Sequence, residues 1–411
     1  MISDVSRIHI PNRAQNFNSH KKLSPTAMSF MVQYLAPERN IEMNPFKYGC
    51  VVDGDNFCAR AEAERQLRRF AESGQNVVVQ GARRMGKSSL VRKAISDMRG
   101  ESMVYIDLYY IGTMADLCGR VMAGIARMND KMSFVRKVMN LVSHLRPTLS
   151  FSTTDGSPVL SVDARAADAP GSLQTVMEML AKVAAGGKTC IVFDEFQDIL
   201  RLPDANRILA EMRGSIQLQP DVPYFFLGSV RHDMMSIFSS PKSPFFKSAA
   251  AFEVDAIRQA DFAAFIVRRF SSGQRKVSSE MASRIIECAD SVSGDVQELC
   301  AALWETSDTD ATITESDVPV ALEHIFARER KGFEKSILRL TPTQVAVLKG
   351  LAASDAAKIY SSQFLENVRI ASTGTVKKAV KRLEADELVY EWQRSWRFVD
   401  PFFREWVRRK I

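Results

Sequence analysis

The feature that most constrains the fold is a glycine-containing loop between an apolar run and a helical pattern. Residues 76–80 (NVVVQ) are mostly β-branched and apolar without alternation, which is typical of a parallel strand covered on both faces. Residues 81–88 (GARRMGKS) fit the pattern G-x-x-x-x-G-K-[ST], and a helical pattern runs from Lys87 to about Arg99. A strand, a loop and a helix in this order favour an α/β fold with a parallel sheet.

The chemistry of this loop suits a bound triphosphate. Gly81 and Gly86 allow the backbone to curl around phosphate oxygens, and the helix N-terminus adds partial positive charge. Lys87 can reach the β- and γ-phosphates, and the Ser88 hydroxyl can ligate Mg²⁺. We therefore expect ATP with Mg²⁺ here, although a glycine-rich turn that carries a lysine by chance also fits. The predicted cofactor-binding residues are Gly81, Ala82, Arg83, Arg84, Met85, Gly86, Lys87, Ser88, Ser89 and Asp194.

A second apolar strand pattern, residues 189–195 (TCIVFDE), ends in two carboxylates. Buried acids at the carboxyl end of a strand are unfavourable unless a cation or hydrogen bonds compensate them, and this edge of an α/β sheet is where ligands bind. We expect Asp194, together with Ser88, to hold the metal, and Glu195 to orient the attacking water. The alternative is a pair of exposed acids that cap the next helix.

A third strand pattern, residues 224–230 (YFFLGSV), places Ser229 at the same edge of the predicted sheet. Its hydroxyl could contact the γ-phosphate or the attacking water, although an ordinary turn serine fits equally well. The predicted catalytic residues are therefore Glu195, Lys87 and Ser229.

Residues 148–164 contain two alternating runs separated by Asp155-Gly156, a pattern that predicts a hairpin with its turn at this dipeptide. The patterns along the chain as a whole predict four regions. These are a flexible N-terminal arm (1–42), a P-loop ATPase domain (43–258), a helical lid (259–335) and a winged-helix domain (336–411). In the last region, three helical patterns precede a β-rich end around residues 392–399, which is typical of a winged helix–turn–helix. The predicted fold class is thus α/β, with a P-loop NTPase parallel sheet, a helical lid and a C-terminal winged helix. Ala61 is expected to face inward and Glu64 outward in a helix that precedes the loop.

Positive charge is concentrated at the C-terminal end. Residues 331–411 contain 16 Lys and Arg and 9 Asp and Glu, an excess of seven that equals the net charge of the whole chain, +7. This surplus suits an anionic partner such as double-stranded DNA. The candidate contacts are Lys377, Lys378, Lys381 and Arg382 on the third helix, where four like charges repel each other, and Arg394 and Arg397 in the wing. The alternative is a winged helix that packs on the nucleotide domain or recruits a protein effector.

Several segments together resemble the AAA+/STAND-type ATPases often called the archaeal ATPase family, in its bacterial branch. The segments are NPF (44–46), F-x-x-R-x-E-x-E (Phe57, Arg60, Glu62, Glu64), GARRMGKSSL, IVFDEFQDI, FLGSV, SPFFKSAAAFEV, STGTVKKAVKRLEADELV and DPFFREW. The resemblance implies a P-loop ATPase module followed by a helical lid and a winged helix. It implies that Lys87 and Ser88 are the Walker A pair, Asp194 and Glu195 the Walker B pair, and Ser229 the sensor-1 residue. Gln197 matches a frequent family residue that reads the γ-phosphate.

Two departures from the family pattern predict slow hydrolysis. The segment after sensor 1, residues 244–248 (PFFKS), has Lys247 but no arginine finger, and residues 294–297 (GDVQ) end in Gln297 where arginine is common. An arginine finger accelerates phosphoryl transfer about 10³–10⁵-fold, so we expect an ATP-gated switch rather than a motor. A non-hydrolysing ATP-responsive DNA-binding regulator and a protein-recruiting scaffold remain open.

The remaining composition points to an ordinary intracellular protein. The six cysteines are scattered without a C-x-x-C pair, so reduced thiols are expected and a disulfide framework is not. The apolar runs are shorter than a membrane span and the N-terminus has no apolar signal region, so we expect a cytoplasmic location and no membrane contact. The sequence leaves the oligomeric state open.

Overall fold

The computed structural model describes residues 43–98, 101–128, 132–151, 158–185, 188–229, 231–353, 358–392 and 395–411. The expected N-terminal arm (1–42), the expected turn at Asp155-Gly156 and the wing residue Arg394 lie outside these ranges.

A five-stranded parallel sheet forms the centre of the first domain, with the strand order β2-β5-β6-β1-β7. Its strands are β1 (Val77–Gln80), β2 (Glu101–Asp107), β5 (Lys188–Asp194), β6 (Tyr224–Gly228) and β7 (Ala250–Glu253). In register, Gln80 lies opposite Gly228, and Phe193 lies opposite Phe226. The carboxyl ends of β1, β5 and β6 therefore meet at one edge of the sheet, where the three predicted site segments begin.

Helices pack on both faces of this sheet, because the central residues of β1, β5 and β6 are apolar on both faces. The helices of this domain are α1 (Ala61–Glu72), α2 (Lys87–Ser96), α3 (Met114–Ala126), α4 (Met132–Leu141), α5 (Ala164–Ala167), α6 (Ser172–Ala184), α7 (Ala205–Gln217) and α8 (Arg231–Phe238). The predicted hairpin is present as β3 (Thr148–Phe151) and β4 (Pro158–Ser161), which pair antiparallel.

Helix α1 differs from the expectation at two positions. Ala61 is exposed, whereas Glu64 is only 6% exposed. The Glu64 carboxylate accepts hydrogen bonds from the backbone N–H of Arg60 at 2.8 Å and from Arg68 at 3.1 Å. Glu64 therefore faces inward because it stabilises an unpaired N–H at the start of its own helix.

The lid consists of four helices and a short two-stranded parallel ladder. These are α9 (Gln259–Ser272), β8 (Lys276–Val277), α10 (Ser279–Cys288), α11 (Ser293–Glu305), β9 (Thr312–Ile313) and α12 (Asp317–Leu338). The last helix runs through the domain boundary expected at 335/336 and ends at Leu338, shortly before Pro342 begins the next helix. The residues that precede α1 pack on the lid, where the Phe46 and Phe270 rings lie 4.7 Å apart.

The C-terminal domain has the predicted order of helices and strands. It contains α13 (Pro342–Ala353), α14 (Ser362–Val368), α15 (Thr373–Ala385), β10 (Val389–Trp392), β11 (Ser395–Phe398) and α16 (Pro401–Lys410). Ser372 caps α15 by accepting a hydrogen bond from the Thr375 N–H, as its position predicts. Phe333 of the lid packs against Phe403 and Trp406 of α16, so the lid and the winged helix share one hydrophobic core.

Within the described ranges, no helix combines the length and the apolar character that crossing a membrane would require.

Candidate functional site

The loop between β1 and α2 is curled by left-handed backbone at two residues. Arg84 has φ 61° and Gly86 has φ 80°. Glycine adopts such a φ without strain, and Gly86 immediately precedes the first residue of α2. Successive N–H groups of such a loop turn toward its concave side, next to the positive end of a helix, which makes it an anion site.

Lys87 places its ammonium group at the mouth of this loop. The side chain is buried, and Nζ donates hydrogen bonds to the carbonyl oxygens of Gly81 and Ala82, both at 3.0 Å. Burial lowers the pKa of Lys87 to about 8, although the nearby Glu195 and Asp194 carboxylates oppose that shift. The lysine therefore lies where a phosphate would need a cation.

Ser88 and Asp194 come together from two different segments. The Ser88 hydroxyl donates to Oδ2 of Asp194 at 2.5 Å, across 106 residues of sequence. Tyr105 of the neighbouring strand β2 donates its hydroxyl to the same oxygen, and the Glu195 N–H donates to Oδ1 at 2.9 Å. A buried carboxylate beside a hydroxyl is an oxygen donor set that fits Mg²⁺.

Glu195 is held by two polar side chains at the end of neighbouring strands. Its Oε2 accepts hydrogen bonds from Nε2 of Gln197 at 2.6 Å and from the Ser229 hydroxyl at 2.9 Å. Its backbone is left-handed (φ 48°), which for a non-glycine residue is unfavourable by about 1–3 kcal/mol and is common at functional sites. The three predicted catalytic residues, Lys87, Glu195 and Ser229, thus lie in one cluster, although they follow three different strands.

A cavity of about 850 Å³ lies beside the loop, between α1, the end of β7 and α9. Its apolar walls include Leu90, Phe252, Val254 and Phe265, and Arg60 is among its polar lining residues. This volume lies within the range of small-molecule sites, roughly 300–1,000 Å³.

Two residues of the site were not assigned a role from the sequence. Arg60 donates from Nη2 to the carbonyl of Met85 at 2.6 Å and from Nη1 to the carbonyl of Asp255 at 3.0 Å, so it fastens the loop to the end of β7. Its position in the F-x-x-R motif was the only available signal. Tyr105 gave no signal, because only the strand order shows that its hydroxyl reaches Asp194.

The guanidinium groups of Arg83 and Arg84 form ion pairs with the other two domains. Arg83 pairs with Glu387 of the winged-helix domain at 3.0 Å, and Arg84 pairs with Asp295 and Glu298 of the lid, each at 2.5 Å. The charge of Arg83 still acts on Lys87, whereas both carboxylates that contact Arg84 belong to the lid.

The two departures noted in the sequence lie in different environments. Lys247 is exposed, has φ 52° and lies with its ammonium group over the Phe246 ring at 5.3 Å. Gln297 is 7% exposed, and within the part of the chain that the structure describes its Oε1 has no hydrogen-bond partner.

The basic face of α15 is partly neutralised. Lys381 pairs with Glu384 at 2.9 Å and Arg382 with Asp386 at 3.2 Å, so the expectation of four mutually repelling charges is wrong for these two. Their partners lie three and four residues further along the same helix face or at its end. Lys377, Lys378 and Arg397 are exposed.

The comparisons with known proteins agree with this architecture. A sequence model described as a probable winged helix domain matches residues 331–409. The structure is similar to a Walker-type ATPase of Pyrococcus abyssi, with a TM-score of 0.61, 18% identity, and coverage of 86% of this chain and 97% of the other. It is also similar to the ORC2 protein of Aeropyrum pernix in its ADPNP-ADP complexes, with a TM-score of 0.51, 14% identity, and coverage of 88% and 96%. No curated protein matches the sequence.

At these identities the structural likeness establishes the fold, and it confirms the resemblance that the motifs indicated. The chain shares the fold of these two proteins: an α/β P-loop domain with a parallel five-stranded sheet, followed by a helical lid and a C-terminal winged helix.

Proposed function

We propose that this protein binds ATP with Mg²⁺ and hydrolyses it slowly, as a conformational switch that controls the winged helix. The observation that carries the proposal is the 2.5 Å contact between Ser88 and Asp194. It places the lysine-bearing loop and the two acids of β5 close enough to share one nucleotide. The structure of the Aeropyrum pernix ORC2 protein, which has a similar fold, is described as ADPNP-ADP complexes, and this supports an adenine nucleotide as the ligand.

Each residue of the site has a role in this reaction. Lys87 and the loop N–H groups bind the phosphates, and Ser88 and Asp194 hold the metal. Bound Mg²⁺ would neutralise charge that develops on the phosphate oxygens. Glu195 orients the attacking water: the hydrogen bonds from Gln197 and Ser229 both end on Oε2, and among the described residues none ends on Oε1.

The cavity beside the loop is the proposed site of the base and ribose. It begins at Arg60, which contacts the loop through the Met85 carbonyl, and its walls are largely apolar. An apolar cavity with a few polar groups suits a flat heterocycle.

The contact between Arg83 and Glu387 supports the switch. It connects the phosphate loop directly to the segment that follows helix α15 of the winged helix. A bound triphosphate competes with Glu387 for the Arg83 charge, so nucleotide binding is expected to loosen this contact and reposition the winged helix. Lys247 lacks the planar bidentate geometry of an arginine finger, which is consistent with slow turnover.

The proposal is tested by calorimetry with MgATP and by phosphate release. We expect wild type to bind MgATP and to turn over more slowly than roughly one per second, and Lys87→Ala to lose binding. Absence of magnesium-dependent binding by wild type would overturn the proposal. Fast turnover by the isolated protein would overturn only the switch.

We also propose that the winged helix binds duplex DNA and that the protein acts in the cytosol. Lys377 and Lys378 favour it, because they are exposed near the start of α15 and form no ion pair with any residue that the structure describes, unlike Lys381 and Arg382. Lysines at this position suit phosphates, so binding should be weakly specific and strongly salt-dependent. The test is retention of random duplex by wild type and by Lys377→Glu/Lys378→Glu. Equal retention would favour a protein effector instead.

A further inference from the structure

Arg84 connects the phosphate loop to the first turn of lid helix α11. Its Nη1 lies 2.5 Å from Oδ1 of Asp295, and its Nη2 lies 2.5 Å from Oε2 of Glu298. The two carboxylates are three residues apart on one face of the helix, so a single guanidinium group spans both.

The backbone of Arg84 is fastened to the same turn. Its carbonyl oxygen accepts hydrogen bonds from the Gly294 N–H at 2.8 Å and from the Ser293 hydroxyl at 3.1 Å. A Cβ atom at position 294 would lie 2.9 Å from Cβ of Arg84 and 3.0 Å from its carbonyl oxygen. Glycine is therefore required there, because any larger residue would push the loop away from the lid.

Of the two lid carboxylates, Asp295 depends on Arg84 more than Glu298 does, because Glu298 also forms an ion pair with Arg328. Asp295 is 1% exposed, and among the described residues neither of its carboxylate oxygens accepts a hydrogen bond, so the ion pair with Arg84 neutralises it. Burial favours the neutral form of Asp295 and raises its pKa, and the Arg84 guanidinium opposes that shift by favouring the carboxylate. Removal of one member of such a pair leaves an uncompensated buried charge, so both sides hold each other in place.

We propose that Arg84 is a positioning residue through which the lid sets the shape of the phosphate loop, so that its contacts with Asp295 and Glu298 control how long a nucleotide stays bound. Arg84 is one of the two left-handed residues that curl the loop, and it keeps that conformation while the lid holds its carbonyl and its guanidinium group. Movement of α11 away from the loop releases both contacts. The loop then relaxes, its N–H groups no longer converge, and the nucleotide dissociates.

This inference rests on the proposed nucleotide binding, and its test uses a fluorescent ADP analogue with the full chain. Stopped-flow dissociation rates are measured for wild type, Arg84→Ala, Asp295→Asn and the double variant. Each single change should raise the dissociation rate about tenfold, and the double variant should do no more than either single one, because both remove the same contact. Arg84→Lys, which keeps the charge, should restore part of the difference.

Two controls separate this role from a general loss of stability. The variant Arg284→Ala removes an exposed ion pair with Glu287 elsewhere on the lid and should leave the dissociation rate at the wild-type value. The association rate should stay near the wild-type value in all folded variants, because the proposed contacts slow the dissociation of the nucleotide and do not affect its entry.

The results separate the positioning role of Arg84 from the proposed nucleotide binding. Wild-type rates in Arg84→Ala and Asp295→Asn, or effects that simply multiply in the double variant, would overturn the positioning role while nucleotide binding stands. A wild-type protein that binds no nucleotide at all would overturn both the proposed function and this inference. If Asp295→Asn fails to fold, Glu298→Gln with Arg84→Ala provides the same cycle on the other carboxylate.

Discussion

The two sides of the phosphate loop are built in different ways. On the side of the sheet, Lys87 and Ser88 meet Asp194 and Glu195, all of which belong to short motifs that a single sequence exposes. On the side of the lid, Arg84 meets Asp295 and Glu298, which lie more than 200 residues away and to which the sequence assigned no role, although Asp295 is part of the GDVQ segment. Residues that bind phosphate and metal must be of fixed types at fixed spacing, so a sequence motif reveals them. Residues that join the loop to the lid need only a partner of opposite charge, which many pairs of distant residues can supply.

The largest effect is expected on the sheet side, from Glu195→Gln. The variant keeps the size and the hydrogen-bonding capacity of the side chain but loses the negative charge that orients and polarises the water. Phosphate release should fall by about 10²–10⁴-fold, as for a lost general base, while MgATP affinity changes little. Single-turnover phosphate release measures the rate, and Asp233→Asn, which lies outside the cluster, is the control. A rate near that of wild type would remove Glu195 from the reaction.

The second effect concerns pH, again on the sheet side. The pKa of Lys87 is about 8 in the free protein and should rise when phosphate anions lie beside it. Above pH 8 the complex therefore binds more protons than the free protein, so affinity should fall by up to about tenfold per pH unit. Calorimetry in buffers of different ionisation enthalpy should detect proton uptake on binding.

A matched variant and a stability argument sharpen this pH test. Lys87→Arg keeps its charge and should bind with a flat pH profile between 8 and 9. The pKa of Lys87 is lower in the folded than in the unfolded chain, so this group makes the fold more stable as pH rises from about 8 toward 10.5. Loss of binding in that range is therefore not a consequence of unfolding through Lys87. A flat profile in wild type would contradict the assignment.

The third effect is on the lid side, from Gly294→Ala. The added Cβ must displace Arg84, because the two Cβ atoms would lie 2.9 Å apart. We expect a loss of about 1–3 kcal/mol in the free energy of unfolding, as for other overpacked sites, and faster nucleotide dissociation. Chemical denaturation and stopped-flow fluorescence measure the two quantities. The control is Gly332→Ala, since a Cβ there would meet no atom within 4 Å; equal behaviour of the two variants would show that the close approach is unimportant.

The smallest effect is expected from Glu387→Gln, which removes the ion pair to Arg83. Both side chains are about half exposed, so the free energy of unfolding should change by less than about 1 kcal/mol. If the contact restrains the winged helix, MgATP affinity should rise about two- to threefold, which corresponds to a few tenths of a kcal/mol. Glu391→Gln, another exposed carboxylate of the same domain, is the control. An unchanged affinity would separate the winged helix from the nucleotide site.

The sequence alone was enough to predict the α/β class, the strands β1, β5 and β6, the winged helix and the grouping of Lys87, Asp194, Glu195 and Ser229, but it gave no sign of β7. These follow from local rules: apolar runs form covered strands, capping residues begin helices, and parallel strands end at one edge. The tertiary structure decided the rest, because contacts between distant segments leave no periodic signal. It turned Glu64 inward, neutralised Lys381 and Arg382, placed Tyr105 on Asp194, and paired Arg83 with the winged helix and Arg84 with the lid. For a charged side chain, the partner within a few ångströms decides its role, and only the folded chain supplies that partner.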